Sequence, residues 1–190
     1  MVAAMPSPAF APARLRKAPA LRFVQAACLA AVLWPATGAA PAAARELVAF
    51  PTGGWPAGTI IVRSGERRLY FVTRNGEAIR YAVAVGKAGK QWRGVKHVEE
   101  MQVNPAWAPP RAVKRDNPGL PDLIPGGAPN NPMGVRAIGL GPGGQYAIHG
   151  TNRPDTVGRA ASYGCFRMRN EDIIDLYARV RLGAAVVVTP

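Results

Sequence analysis

The sequence predicts one mainly β domain, a β-sandwich or open barrel with one short C-terminal helix and a long proline-rich loop. Three observations support this fold class. A chain of 190 residues is long enough for a single hydrophobic core. Its 21 glycines and 19 prolines, in a chain that is 48% hydrophobic, are typical of a loop-rich globular protein. Short β-branched and aromatic runs recur between turn signals, and only one clear segment has a helical period.

The first predicted strands form a β-meander. Residues 59–63 (TIIVR) and 68–73 (RLYFVT) are rich in β-branched and aromatic residues, and residues 78–86 alternate in polarity. Asn75 and Gly76 separate the second and third runs, and this pair predicts a hairpin with a type I′ turn. Residues 95–105 predict a further strand, in which His97 is interpreted as structural or exposed.

Residues 105–132 form the proline-rich loop and contain eight prolines. Because proline fixes φ and lacks a backbone donor, we predict neither a central strand nor a helix here. Long ordered loops of this kind are usually lids or binding loops. Trp107 either closes one end of the fold or forms the wall of a substrate groove, and the sequence leaves both alternatives open.

The C-terminal third returns to regular structure. Strands are predicted at 135–140 (VRAIGL) and 145–150 (QYAIHG), so that His149 lies at a strand end, where functional residues are often found. A helix is predicted from Asn170, as its N-cap, to Gly183, and residues 184–189 form the last strand. The helix has an acidic first turn, an apolar face and basic residues near its end: Glu171, Asp172, Ile173, Leu176, Tyr177, Val180, Arg179 and Arg181.

Residues 1–44 have the three parts of a signal peptide. They contain four basic residues and no acidic residue, an apolar run at 23–34 and a small-residue stretch with A-x-A sites. Cleavage is predicted after Ala44, with Ala40 as the alternative. Since the apolar run is shorter than the roughly 18 to 20 residues that span a bilayer, we expect no stable membrane anchor after cleavage.

Export changes how the charge and the cysteines are interpreted. The whole chain has a net charge of +13, and removal of the leader leaves 20 basic and 11 acidic residues, a net charge of +9. Such a charge suits a nucleic acid, a membrane or an anionic polymer, and export makes nucleic acid an improbable partner. Cleavage also removes Cys28, so Cys165 becomes a lone cysteine that is either a small buried hydrophobe or a reactive thiol.

Cys165 lies sixteen residues after His149, and the two suit a thiol nucleophile and its base. A cysteine reacts as a thiolate, so it needs a nearby imidazole or cation. Arg167 has the strand parity to lie on the same face as Cys165. Gly164 removes side-chain bulk beside the thiol, and the N–H groups of Tyr163, Gly164 and Cys165 are candidate oxyanion donors.

The motifs "HGTN" and "SYGCFRM" resemble the signature of the L,D-transpeptidase (YkuD-type) catalytic domain. Further similar stretches, among them "PAWAPP", "PNNPMGVRAIGL" and "NEDIIDLYARV", extend the resemblance over residues 59–190. The resemblance implies a β-rich catalytic domain at 58–190, preceded by a short N-terminal segment at 45–57. It also implies a protein of the periplasm or cell envelope.

Site residues follow from the same resemblance. Cys165 matches the nucleophile, His149 the base, and Gly150 the residue whose carbonyl orients the imidazole. Many members have a histidine where this chain has Tyr163, and this departure alters the pocket more than the mechanism. The candidate oxyanion and substrate-binding residues are Tyr163, Gly164, Ser162, Arg167, Trp107 and Tyr146.

The implied reaction is acyl transfer on peptidoglycan stem tetrapeptides through a Cys165 thioester, with release of D-Ala and cross-linking of third residue to third residue. Alternatively, water resolves the thioester, as in an L,D-carboxypeptidase or endopeptidase, or a lysine of an outer-membrane protein does so. The non-enzyme alternative is an inactive peptidoglycan-binding module, which the presence of both His149 and Cys165 disfavours. We expect a monomer. We expect no metal and no cofactor, because the sequence has no metal-ligand cluster and no nucleotide-binding loop.

Overall fold

The computed structural model describes residues 45–190. The predicted leader and both cleavage positions lie outside the described residues. Two α-helices are present in the described part, α1 (Arg111–Asp116) and α2 (Asn170–Arg179). The strands are β1 (Arg45–Ala49), β2 (Ile60–Arg63), β3 (Arg68–Arg74), β4 (Glu77–Ala82), β5 (Val85–Gly86), β6 (Gly94–Val103), β7 (Arg136–Leu140), β8 (Tyr146–His149), β9 (Ala160–Ser162), β10 (Phe166–Arg167) and β11 (Ala185–Thr189).

Nine of these strands form one open sheet in the order β1-β4-β3-β2-β11-β6-β7-β8-β10. Its pairs are antiparallel except for β2 with β11 and β8 with β10, which are parallel. Strands β5 and β9 form a separate small parallel sheet. The predicted mainly β fold class is confirmed, and of the two predicted architectures the structure has the open one, a sheet curled into a half-barrel.

The main core forms because alternate residues of the strands share one face. Ile60 and Val62 of β2 are fully buried in the main core, whereas Ile61 between them packs in a second cluster with Phe50 and Tyr70. Helix α2 completes the main core with Ile173 and Leu176, which are also fully buried, as their spacing predicted. Burial of each such side chain contributes about 1.5–3 kcal/mol to folding.

The hairpin between β3 and β4 forms as predicted, but its turn is of a different type. Gly76 has φ of +76°, whereas Asn75 is absent from the non-glycine residues with positive φ in the described part, which are Arg67 and Asn104. A type I′ turn needs positive φ at both central residues, so that prediction is wrong. A register shift between Val72 and Arg74 accommodates the connection instead.

The strand predicted at 78–86 is divided between two sheets. Strand β4 ends at Ala82, and Val85 begins the short strand β5, which pairs with β9. Between them Ala84 makes a two-way backbone bridge to Arg167, with N···O distances of 2.8 and 3.1 Å. Polarity alternation reports which face a residue occupies and does not report its pairing partner, so the sequence did not reveal this change.

The proline-rich loop contains a helix, contrary to prediction. Helix α1 begins directly after Pro110, where a proline precedes the first turn without removing a helical hydrogen bond, and its six residues contain no proline. Asn131, which is 2% exposed, joins the two ends of the proline-rich segment through its side chain. Its side-chain amide donates to the carbonyls of Pro105 (2.8 Å) and Pro125 (2.9 Å).

Helix α2 begins one residue earlier than predicted. Its N-cap is Arg169, which makes no side-chain capping bond, and Asn170 is the first helical residue. The Asn170 side chain instead accepts a hydrogen bond from the amide of Thr151 at 3.1 Å. An asparagine before an acidic turn is a good capping signal, but here a loop from another part of the chain takes its oxygen. The helix ends with Val180 as its C-cap.

Two further features of the described residues concern His97 and membrane-spanning helices. His97 is exposed on β6, in agreement with its interpretation. Within residues 45–190, no helix combines the length and the apolar character needed to cross a membrane.

Candidate active site

The structure brings His149 and Cys165 to one cavity. His149 is the last residue of β8, Cys165 directly precedes β10, and the parallel pairing of these strands places Arg167 opposite His149. The cavity has a volume of about 70 Å³. Its lining residues are Trp107, Pro110, Val113, Pro132, Met133, His149, Ser162, Tyr163, Cys165 and Arg167.

The imidazole of His149 is buried and held by its neighbour. Its Nδ1 lies 2.7 Å from the carbonyl oxygen of Gly150, and the residue is 4% exposed. Because a carbonyl only accepts, Nδ1 carries the proton and Nε2 keeps its lone pair. Burial, and next the positive charge of Arg167, lower the pKa of His149 to about 4. The ring is therefore a neutral base at neutral pH.

The Cys165 thiol is also neutral at rest. The residue is half-buried, and burial raises the pKa of its thiol. A backbone hydrogen bond with Ala147 and the charge of Arg167 oppose this effect in part. Since the pKa of the base is lowered and that of the thiol is raised, the geometry suits proton transfer during nucleophilic attack more than a preformed ion pair.

Ser162 shapes the catalytic loop, residues 162–165. Its hydroxyl accepts a hydrogen bond from the amide of Gly164 at 3.0 Å and donates to the carbonyl of Cys165 at 2.6 Å. The Gly164 amide is therefore occupied, and one of the three predicted oxyanion donors is lost. The amides of Tyr163 and Cys165 donate to no acceptor within residues 45–190.

Position 164 requires a glycine because the Tyr146 ring packs directly against it. It has φ of +123°, and a Cβ there would lie 2.7 Å from Cε1 of Tyr146. The Tyr146 ring stacks on Trp92 with centroids 4.9 Å apart, and Trp92 Nε1 donates to the Gly164 carbonyl at 3.0 Å. The absence of a side chain at Gly164 thus leaves room for the Tyr146 ring. Tyr146 supports the loop from beneath and is not among the residues that line the cavity.

The remaining predicted residues border the cavity or support it. Trp107 lines the cavity and is absent from the main core, so its placement favours the groove-wall alternative. Arg167 also lines the cavity and is partly buried. Gly150 does not line it, but a Cβ at Gly150 would lie 2.3 Å from Oδ1 of Asn170. This close approach packs the segment after His149 against the start of α2.

Sequence reasoning missed several residues of the site. Pro110, Val113, Pro132 and Met133 complete the cavity wall. They belong to the proline-rich segment, which was predicted as a binding loop only as a whole, because irregular structure has no period from which facing residues can be read. A larger cavity of about 460 Å³ lies elsewhere, between Trp55 and residues 179–185, and neither cysteine nor histidine lines it.

Known proteins resemble this chain in sequence over most of the described residues. The family model of the L,D-transpeptidase catalytic domain (YkuD) matches residues 57–188. The chain belongs to this family. An Escherichia coli K12 relative described as "Probable L,D-transpeptidase ErfK/SrfK" is 37% identical over 136 residues. The match covers 67% of this chain and 42% of the relative, so the chain spans less than half the length of that L,D-transpeptidase.

Solved structures share the fold of this L,D-transpeptidase-family domain. The Mycobacterium tuberculosis L,D-transpeptidase 3, in complex with a faropenem-derived adduct, is 14% identical with a TM-score of 0.53, covering 71% of this chain and 61% of that one. A Brucella melitensis protein described as "Probable carnitine operon oxidoreductase caia" is 39% identical with a TM-score of 0.52, covering 78% of this chain and 95% of that one. That description differs from the family name, and our assignment rests on the match over residues 57–188.

Proposed function

We propose that this L,D-transpeptidase-family domain is a cysteine-dependent acyltransferase that acts on peptidoglycan stem tetrapeptides. The observation that carries the proposal is the shared cavity of Cys165 and His149, in which Nδ1 of the imidazole donates to the Gly150 carbonyl and Nε2 therefore carries no proton. A neutral imidazole beside a neutral thiol is the resting state that acyl transfer with general-base assistance requires.

In the first half-reaction, Cys165 Sγ attacks the carbonyl between the third stem residue and the terminal D-Ala. His149 takes the thiol proton, and the amides of Tyr163 and Cys165 supply hydrogen bonds to the oxyanion of the tetrahedral intermediate. The intermediate collapses when the C–N bond breaks. His149 returns the proton to the leaving amine, and D-Ala departs to leave a thioester on Cys165.

In the second half-reaction, an amine of a second stem attacks the thioester. His149 takes a proton from this amine and returns it to the sulfur as the C–S bond breaks. The product joins the third residue of one stem to the third residue of the other, and the free thiol is restored. Water as the acceptor would give a tripeptide, and a protein lysine would give an anchored outer-membrane protein.

The place of action follows from the same proposal. Peptidoglycan lies in the cell envelope, and the predicted signal peptide would deliver the domain to the periplasm. The predicted mature charge of +9 suits a partner rich in carboxylates, as stem peptides are.

The nucleophile is tested by intact-mass measurement after incubation with faropenem, from which the adduct in the M. tuberculosis structure derives. We expect the exported, processed protein to gain one adduct and the Cys165→Ala variant to gain none. Asp122→Asn is the matched control and should still gain the adduct, because Asp122 pairs with Lys114 of α1 and lies outside the catalytic loop. An adduct on Cys165→Ala would exclude this residue as the nucleophile.

The acceptor is tested with purified tetrapeptide muropeptides, whose products are resolved by mass. A dimer with free D-Ala is expected. Tripeptide alone would overturn transpeptidation in favour of carboxypeptidase activity, and a product formed only with an added lysine peptide would favour anchoring. Binding without turnover, with an unmodified Cys165, would support the inactive-module alternative.

A further inference from the structure

The cavity over Cys165 is too small for the proposed donor. Its volume is about 70 Å³, whereas small-molecule sites usually have about 300–1,000 Å³ and one water in the liquid takes about 30 Å³. A cavity of this volume holds only a small part of a stem peptide, so movement of one wall would enlarge the space over the thiol.

Helix α1 is the part of the cavity wall that we expect to open most easily, because it is the least buried. Pro110 and Val113 bring it to the cavity, yet none of the six residues of α1 is buried. Segments with few buried contacts open locally at low free energy. The facing wall, the catalytic loop, runs between β9 and β10 and is bonded into both sheets.

Three side chains join α1 to the catalytic loop. The hydroxyl of Tyr163 donates to Oδ2 of Asp116, the last residue of α1, at 2.5 Å. Lys87, which follows β5, places Nζ 3.5 Å from the same oxygen and 3.9 Å from the centroid of the Tyr163 ring. We call these residues the Tyr163–Asp116–Lys87 latch.

The latch is charged at neutral pH. The hydrogen bond from Tyr163 is the main cause that lowers the pKa of Asp116, and contact with Tyr163 raises the pKa of Lys87. A carboxylate that accepts from a phenol, with an ammonium over the phenol ring, combines a charge-assisted hydrogen bond with a cation–π contact.

We propose that Asp116 and Lys87 are positioning residues that act through Tyr163 to hold α1 closed over Cys165, and that parting of this latch admits the donor peptide. The proposal depends on the proposed function only for the nature of the entering peptide. The three residues of the latch are 29 to 76 positions apart in the chain. Their contacts therefore hold together distant segments that meet at the cavity.

Access to Cys165 tests the latch without any substrate. The processed protein is alkylated near neutral pH with iodoacetamide, which is small, and with a bulky maleimide, and both rates are followed by intact mass. The ratio of the bulky to the small rate reports opening of the cavity, because a change in thiol pKa alters both rates together.

We expect Tyr163→Phe and Asp116→Asn each to raise this ratio about 3- to 10-fold, since each removes a charge-assisted contact of modest strength. Their double variant should add little, because both remove the same contact. Asp116→Glu keeps a carboxylate and should restore most of the closure. Lys87→Met should raise the ratio less than Asp116→Asn, because the hydrogen bond remains.

Asp122→Asn is the matched control. Asp122 pairs with Lys114 of α1 at 2.6 Å, so this variant breaks an ion pair within the same segment without touching the catalytic loop. An unchanged ratio in both Tyr163→Phe and Asp116→Asn would overturn the proposal, as would an equal rise in Asp122→Asn. Failure of the proposed function would appear separately, as absence of muropeptide turnover in every variant while the alkylation ratio still responds.

Discussion

Arg167 lies directly opposite His149 in the parallel pairing of β10 with β8. Its charge is the second cause, after burial, of the low pKa of His149. The same charge opposes burial at Cys165, where burial raises the pKa of the thiol. One cation thus keeps the base unprotonated and brings the thiol closer to ionisation.

The pH profile of acylation should show this arrangement. In the proposed reaction His149 accepts the thiol proton and must be neutral to do so, so we expect the rate of faropenem acylation to fall on the acid side with a midpoint near pH 4. An unperturbed histidine would give a midpoint near the ordinary value of 6.5. The measurement is the second-order rate constant over a series of buffers of constant ionic strength.

Arg167→Met should move that acid midpoint upward, because loss of the positive charge makes the imidazolium less unfavourable. It should also slow acylation at neutral pH, since the thiol loses a neighbouring cation. Arg167→Lys keeps the charge and serves as the control. A midpoint that stays near pH 4 in Arg167→Met would contradict the assigned role of the charge.

Asp172 should destabilise the fold at neutral pH. It is fully buried, neither carboxylate oxygen has a hydrogen-bond partner within residues 45–190, and burial is the main cause that raises its pKa from 3.8 to about 6. A group whose pKa is raised on folding contributes stability below its unfolded pKa and loses it as the pH rises through the folded pKa.

Asp172→Asn removes this charge and keeps the side-chain size. We expect the free energy of unfolding in urea to rise by about 1–3 kcal/mol well above pH 6. The gain should disappear below pH 3.8, where the wild-type carboxyl is also neutral. Glu99→Gln, at an exposed position of β6 that does not contribute to the pKa of Asp172, is the control and should change little at either pH. An equal gain for Asp172→Asn at both pH values would rule out the charge as its cause.

Gly164→Ala should disrupt the catalytic loop through two separable effects. A positive φ strains an alanine by about 1–3 kcal/mol, and the clash of its Cβ with Tyr146 adds a comparable overpacking penalty. Gly158→Ala isolates the first effect, because Gly158 has φ of +84° and nothing within 4 Å of the added Cβ.

Urea unfolding and faropenem acylation of the two glycine variants give the comparison. We expect Gly164→Ala to lose more stability than Gly158→Ala and to lose most of its acylation rate, whereas Gly158→Ala keeps that rate. Equal losses in both variants would show that contact with Tyr146 does not determine the loop.

Much of the fold was predictable because its signals are local. The strand runs at 59–63 and 68–73 became β2 and β3, and the spacing of Ile173 and Leu176 correctly predicted the buried face of α2. Side-chain alternation and the helical period depend on neighbours within a few residues, so a single sequence records them. His149 at a strand end and Cys165 in a loop followed from the same local signals.

What the sequence could not show are contacts between distant residues. The sequence predicts Asn170 as a helix cap, but in the structure its side chain accepts a hydrogen bond from the amide of Thr151. In the sequence Asp116 is one more residue of a proline-rich loop, but in the structure it accepts a hydrogen bond from the hydroxyl of Tyr163 at 2.5 Å. The break between Ala82 and Val85 likewise depends on which sheet supplies the partner.

The sequence by itself therefore determined the elements, the buried faces and the scarce chemical groups, because each depends on residue type and short-range spacing. Only the tertiary structure decided how large the cavity over Cys165 is, which amides remain free near it and what holds α1 against it. These properties depend on distances between side chains far apart in the chain, which packing sets and no local pattern encodes.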